Sequence, residues 1–579
     1  MKKILKNIML TATAALVLTS CLDDVTPSGG MIQEQVEASK NGISGLSYAI
    51  PKSLVTLGYS YIGATYGAIQ LMTDIITGQA PAVAGTKWDY YNYVSWGYLG
   101  SNYAYCYDVW NYHYTAISRA NLAIAAINNA GGADDASATY AGFMGNALAY
   151  RAFAYLNLSR LLEYKSTGDA SLDDYAKNHN IYGLTAPIVT EKTTEKESRN
   201  NPRVPFYVMD RFILTDLNKA EKLLKGYTRE SPNMANDAVV YGLKARFWLD
   251  LASRFDYKVS DLQEQLSHED DDSLAIYDKL GVTTAKECYT NAAKYARLAI
   301  NEGYRPITKQ EWYNNNTGFN TANKAWIWAM QIGTNDIESS TWGWKSFTSY
   351  ISSETEFGVA GIPAHNGYRE IDKQLFGQIN KADWRRATWV APEDAGEADS
   401  IKKYTTLLSD SVFANLPAYA ALKFKPAGGN MSDYKAGNAV DMPLMRVEEM
   451  YFIEAEATAF TEGLKAGQKL LEDFMNTYRC DVIDENPTPF KCTSTNTWDF
   501  ERELLAQKRI EFWGEGVVYY DYKRLRMDFN TAYSGSNTYT YYQQTNAAGY
   551  VHPYMNFCIP NQEFRNNQGL VNNPDPKGE

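Results

Sequence analysis

The chain carries 67 Asp plus Glu but only five His, and no spacing among them commits these groups to a reaction. There is no H-E-x-x-H, no P-loop, no G-x-S-x-G and no Gly-rich dinucleotide turn. No His lies within four residues of another, so a metal site built on a local His pair is not indicated. A glycan hydrolase needs two carboxylates roughly 5 to 10 Å apart, which an acidic chain can offer by chance. His268-Glu269-Asp270-Asp271-Asp272 could hold calcium, but it lacks the alternating carboxylate spacing of a calcium loop and reads better as a solvated acidic turn. No C-x-x-C occurs; Cys480 and Cys492 are close enough in sequence for a disulfide, and buried thiols serve as well. We therefore expect no catalytic residues, no metal and no cofactor, with calcium left as a possibility that no motif supports.

Aromatic side chains are the more informative set. The chain has 44 Tyr, 21 Phe and 13 Trp. Twelve aromatics fall between Trp88 and Tyr114, and Trp312, Trp342, Trp344 and Tyr350 form a second group. Tyr exceeds Phe two to one, which suits rings with one wet edge. A flat ring matches the C–H face of a sugar, and Asn, Asp, Arg and Tyr hydroxyls match its polar rim. Rigid aromatics also lose little side-chain entropy on binding. Tyr103 to Tyr114 runs into a helical pattern, where packing is the simpler use. Trp88, Trp96, Tyr98, Trp342 and Trp344 lie beside Gly and polar residues, where a loop platform fits as well as packing does.

These groups need a scaffold, and its helices can be read from periodicity. Apolar residues recur at three and four spacing over Asp108–Asn128, Tyr140–Leu162, Phe206–Leu224, Asp237–Ala252, Lys286–Asn301, Pro443–Phe460, Gly467–Tyr478 and Trp498–Trp513. Short loops between several of them suggest antiparallel hairpins. Arg151-Ala-Phe-Ala-Tyr-Leu-Asn-Leu158 echoes Lys244-Ala-Arg-Phe-Trp-Leu-Asp-Leu251, as stacked TPR-like hairpins would. The expected fold is mainly α: a TPR-like helical-hairpin scaffold with an irregular, aromatic-rich loop lobe. The expected division is a signal peptide at 1–20, a tether at 21–45, an N-terminal TPR-like region at 46–304, the loop lobe at 305–440, a C-terminal TPR-like region at 441–528, and a tail at 529–579 packing on the lobe. Glu448, Glu454, Glu456, Arg509 and Glu511 on the late helices are expected to make ion pairs and caps rather than to catalyse.

Charge and the first residues bound the setting. With 55 Lys plus Arg the net charge is −12, and no dense basic run follows residue six, so nucleic acid is not an expected partner. Lys2, Lys3 and Lys6 precede an apolar Ile8–Leu18 and then Leu18-Thr19-Ser20-Cys21, the plan of a secretory signal. The small residues before Cys21 resemble a bacterial lipobox, which implies lipidation of Cys21, and Leu22-Asp23-Asp24 resembles a surface-export signal of Bacteroidetes lipoproteins.

Several strings, in order, resemble the SusD/RagB nutrient-binding lipoproteins of the Bacteroidetes outer membrane. They are Arg151–Arg160, Thr185-Ala-Pro-Ile-Val189, Met445–Ala457, Lys508-Arg-Ile-Glu-Phe-Trp-Gly-Glu-Gly516 with Tyr520-Asp-Tyr-Lys-Arg524, and Ile559-Pro560 through Pro574. The resemblance implies a non-catalytic, cell-surface, lipid-anchored protein of the outer membrane. It would bind oligosaccharide or polysaccharide and deliver it to a SusC-like TonB-dependent transporter. By position it implies Asp74, Trp96, Tyr98 and Asn102 as early ligand contacts, with Trp312, Trp342 or Trp344 as later ones; Trp88 joins them from its loop setting. A RagB-like peptide-binding role and, further off, a surface glycan hydrolase remain the alternatives.

Overall fold

In a computed structural model the described residues are 40–56, 65–81, 99–102, 104–339, 346–361, 368–392, 406–481 and 489–578. The signal peptide and Cys21 lie outside them. The principal helices are α1 Lys40–Val55, α2 Gly67–Ile76, α3 Ala104–Asn129, α4 Ala141–Leu162, α5 Phe206–Leu224, α6 Asp237–Tyr257, α7 Ala285–Asn301, α8 Val447–Thr461, α9 Leu464–Tyr478, α10 Thr497–Glu511 and α11 Val518–Leu525. Each periodic segment forms its helix, with ends shifted by a few residues. Side chains fix several starts: Asn236 accepts from the Val239 amide, and Thr284 makes a capping box with Glu287.

The helices pack in sequence. α1 lies on α3, α3 on α4, α4 on α5, α5 on α6, and α6 on α7. α7 then packs on α8, although the whole irregular lobe lies between them in the chain, and α8 packs on α9. The two TPR-like stretches therefore meet in one stack of helices, and the lobe is an excursion from it. The echoed segments face the same helix from two sides. Arg151 of α4 grips Asp216 of α5 with two bonds of 2.7 and 2.8 Å, and Lys244 of α6 pairs with Glu221 of α5.

Close approach shows best between α8 and α9. A Cβ on Gly467 would lie 2.5 Å from the Ala459 Cβ and 2.6 Å from the Ala455 carbonyl oxygen. Gly467→Ala is expected to force these helices apart at a cost of about 1–3 kcal/mol, read as a lower melting temperature. An unchanged melt would mean that this contact adds nothing to stability.

Two expectations change. The tether expected to residue 45 already contains the start of α1, whose Ile43, Ile50 and Leu54 are buried against the stack. The helix expected from Pro443 begins only at Val447. Before it, strand β2 Asp441–Arg446 pairs antiparallel with β1 Trp326–Gln331, and Pro443 sits inside that strand. β2 is buried along nearly its whole length, so its sequence shows no alternation to tell strand from helix. A second short pair, β3 Phe529–Asn530 with β4 Thr545–Asn546, forms a hairpin in the tail. The five cysteines after Cys21 are free thiols, Cys480 and Cys492 included.

The lobe is fastened to the stack by a buried, charge-balanced cluster. Glu511 at the end of α10 accepts from Arg385 Nη1 at 2.7 Å, Arg446 Nη1 at 2.9 Å and Arg479 Nε at 2.8 Å. Arg385 also holds Asp383, Arg446 holds Glu515 and Glu448, and Lys423 donates to Glu515 at 2.6 Å. Four cations thus meet four carboxylates, with Arg385, Asp383 and Lys423 supplied by the lobe. Burial alone would raise the Glu511 pKa, but the guanidiniums of Arg479, Arg446 and Arg385 hold the carboxyl well below its usual value. Glu456 pairs with Arg524 and Glu454 with Arg297, so these carboxylates of the late helices act in packing, as expected. Arg509 instead lies over the Tyr522 ring.

Candidate functional site

The candidate residues are best located from α2, a helix buried along its whole length. At its start Gly67 lies against Phe347, where an added Cβ would come within 2.6 Å of the ring. Phe347 follows closely on residues 340–345, which contain Trp342 and Trp344. At its end the chain turns through Gly78, with φ +72°, to Pro81. Residues 82–98, with Trp88, Trp96 and Tyr98, come next. These five aromatics lie outside the described residues. What the structure does describe is one root of each segment, near opposite ends of one ten-residue helix about 15 Å long at 1.5 Å per residue. The turn after α2 is held by Trp513 Nε1 and the Asp372 amide, which donate to the Gln79 carbonyl at 3.0 and 3.2 Å.

Asp74 is on α2, yet it is fully buried. Its Oδ2 accepts from the Gly514 amide at 2.5 Å. Burial raises its pKa to about 7 against the pull of the Gly514 and Gly516 amides. Asp74 thus pins α2 to the turn after α10 and does not reach a surface ligand. Trp312 is likewise interior, 1% exposed. Its ring meets Phe319 and Trp384 at 4.7 and 5.4 Å, its Nε1 donates to Thr388 Oγ1 at 3.0 Å, and Lys423 lies 5.1 Å from its centroid. Position along the chain suggested a platform for Trp312; the packing makes it core, like Trp326, Trp328 and Trp389.

Asn102 is exposed, and its Oδ1 accepts from Asn561 Nδ2 at 2.5 Å. Next to it the Ser101 amide and hydroxyl both donate to Asp575 Oδ2, at 2.9 and 3.0 Å. The second root of the early aromatic segment is therefore tied to the C-terminal stretch. Ser101 and Asn561 border an open groove of about 560 Å³ with Tyr175 and Phe564.

The tail reaches the first root. Thr531 and Tyr542 close over Gly78 and Pro81. Tyr533 donates to Asp372 Oδ2 at 2.9 Å, and Asn537 donates to Glu370 Oε2 and the Ile371 carbonyl, both at 2.9 Å. Glu370 is raised by burial to about 7. The tail turn presents Tyr539 and Tyr541, which no motif had singled out. The signal that marks them is composition: residues 529–551 contain no Asp, Glu, Lys or Arg, in a chain that is 21% charged.

The chamber inside the stack suits a sugar poorly. At about 50 Å³, and lined by Tyr66, Asn157, Arg160, Arg246, Glu449 and Tyr520, it has room for a water or two. In the acidic turn near residue 270, Arg211 donates to the carbonyls of His268, Leu274 and Tyr277, and Asp271 caps a short 3-10 turn. Among the described residues no group of three His, Cys, Asp or Glu is placed to hold a metal ion. No helix among them is long and apolar enough to cross a membrane.

Residues 307–575 match the SusD family model. Solved structures share the fold across nearly the whole chain. A SusD-like carbohydrate-binding protein from Bacteroides vulgatus is 18% identical, with 92% of this chain and 97% of that one covered and a TM-score of 0.62. A SusD superfamily protein from Bacteroides fragilis is 16% identical, covering 92% and 99%, with a TM-score of 0.61. A laminarin-binding SusD-like protein is 14% identical, covering 93% and 99%, with a TM-score of 0.58. No curated protein matches the chain. At such identities the structural likeness is one of fold.

Proposed function

We propose that this chain, whose residues 307–575 match the SusD family model, captures oligosaccharide or polysaccharide at the cell surface without cleaving it and delivers it to a SusC-like TonB-dependent transporter. The observation that carries this reading is the rooting of both aromatic segments, 82–98 and 340–345, at the two ends of the rigid, buried α2. Two aromatic segments that start from one helix can engage different sugars of one chain. Single stacking contacts are weak, and useful affinity comes from several held at a fixed spacing. The carbohydrate-binding relatives of the same fold point the same way.

Binding without turnover is supported by the fate of the carboxylates. Glu448, Glu456, Glu511 and Glu515 are in buried ion pairs, and Asp74 lies beneath the surface. Anchoring would come through lipid on Cys21, with the following residues as a leash to α1. A net charge of −12 favours uncharged over strongly anionic glycans.

Titration of the purified protein with polysaccharides, oligosaccharides and peptides, with product analysis on the same samples, tests the reading. Trp96→Ala and Trp342→Ala should each weaken glycan binding about tenfold, the loss of one stacked ring. No shortened product should appear. Unchanged binding in both variants would put the site elsewhere. Cleavage would make the protein a hydrolase, and a response to peptides alone would make it a peptide carrier.

A further inference from the structure

The charge-free tail hairpin has features that packing does not require. Between β3 and β4 the chain makes a short 3-10 turn, Thr540–Tyr542, closed by the Tyr542 amide on the Tyr539 carbonyl at 2.8 Å. Tyr539 is 47% exposed and Tyr541 61%. Both rings lean on Tyr542, at 5.8 and 5.3 Å between centroids, so three rings form one cluster whose outer two face solvent. The cluster is held from below and from the side. Thr531 and Gln544 exchange bonds across the hairpin at 2.9 and 2.8 Å, and Gln543 Nε2 donates to the Thr538 carbonyl at 3.0 Å. Tyr533 and Asn537 fix the hairpin to residues 370–372 of the lobe.

A surface of exposed tyrosines would ordinarily be kept soluble by neighbouring charges. Here Thr, Ser, Asn and Gln surround the rings instead, over 23 residues without a formal charge. Rigid tyrosine among small neutral hydrogen-bonding groups is the composition of surfaces that bind by stacking and adaptable hydrogen bonds. Tyr542 also lines a small cleft together with Pro81, after which the early aromatic segment begins. A ligand held by that segment would have the tail turn beside it.

We propose that the Tyr539–Tyr542 turn is a further stacking subsite for the captured glycan, selective for uncharged sugars. The inference rests on the glycan-binding reading above. A pyranose lays its C–H face on Tyr541 or Tyr539, and the Thr540 hydroxyl and Gln543 amide meet its rim. Residues 529–551 bring no formal charge of their own to pair a uronate or a sulfate, so the desolvation of such a group goes uncompensated by the turn.

The test uses the purified full chain with laminarin, a starch-type α-glucan and a mannan as neutral probes and polygalacturonate as the charged comparator. The Tyr539→Ala/Tyr541→Ala double variant should keep the native melting temperature and lose about ten- to a hundredfold in affinity for whichever neutral glycan binds. The Tyr539→Phe/Tyr541→Phe double variant, which keeps the rings, should retain most of it. On saturation of the native protein, amide hydrogen exchange across 538–546 should slow, which a remote structural effect would not produce. Neutral-glycan binding that the alanine double variant leaves intact overturns the subsite and spares the glycan-binding reading. Polygalacturonate binding as tight as that of the neutral glycans overturns the selectivity. Failure of every glycan overturns both.

Discussion

Glu511→Gln is expected to cost about 3–5 kcal/mol of folding free energy, the usual penalty for breaking a buried ion pair from one side. The carboxylate is fully buried and receives three guanidiniums, from the lobe, from β2 and from the end of α9. The amide that replaces it keeps one acceptor and turns a donor toward a guanidinium. The balance of four cations and four carboxylates becomes one cation in excess, buried away from the surface. The measurement is the midpoint of chemical unfolding at unchanged slope, with Glu454→Gln as the comparator. Glu454 pairs with a half-exposed Arg297 and should matter by about 1 kcal/mol or less. The pH dependence has a definite sign. The Glu511 pKa is depressed in the folded protein, so its contribution is present above the unfolded value near 4.5 and is lost as pH falls below it. Native protein should therefore lose its advantage over Glu511→Gln in acid. A difference no larger than that of Glu454→Gln would mean that the cluster does not hold the lobe to the stack.

That cluster also shows which parts of the molecule the sequence makes legible. Glu448 and Glu511 sit on strongly periodic helices, and periodicity alone puts them on amphipathic scaffolding where ion pairing is the simplest use. Arg385, which pairs with Glu511 126 residues on, and Lys423, which pairs with Glu515 92 residues on, come from the lobe, where no period exists and nothing local announces such contacts. The helices of the stack are readable because apolar residues recur at helical spacing in each, even in α4, which is buried on nearly all sides, and the echo of Arg151 and Lys244 survives because both reach α5. The adjacency of α7 and α8 is not readable, since it depends on where the lobe leaves and returns. The site divides in the same way. Order along the chain, read through a resemblance, nominated Trp312 and Asp74, but whether an aromatic or a carboxylate is wet is decided by packing across the lobe. Asn102 was nominated by the same route and is exposed. Tyr539 and Tyr541 had a purely local signal, the charge-free run around them, which motif and period searches do not register.

Asp74 offers a test of this distinction with nearly as large an effect. Its folded pKa is raised from 3.8 to about 7 by burial. An acid raised in this way favours folding fully below its unfolded pKa, and that contribution is lost as pH rises through the folded value. Between pH 3.8 and about 7 native protein should therefore lose stability relative to Asp74→Asn, by about 4 kcal/mol in total at 1.36 kcal/mol per unit. Asp108, Glu370 and Glu501 are raised by burial as well, so the native curve alone would mix several groups. The difference between the two proteins isolates Asp74. The change of that difference with pH is also free of any constant offset from packing the amide, whose oxygen can still accept from Gly514. Among the described residues, Oδ1 of Asp74 is buried with no hydrogen-bond partner, and so is Oε1 of Gln70 one turn earlier on α2. A proton on Asp74, or the amide of Asn, supplies a donor to this acceptor-rich interior, and an ionised carboxylate does not. Glycan affinity at fixed pH should be the same in both proteins, because nothing at the surface changes. A loss of affinity without the pH-dependent gap would return Asp74 to the binding site, and the buried position would have to open for ligand to reach it.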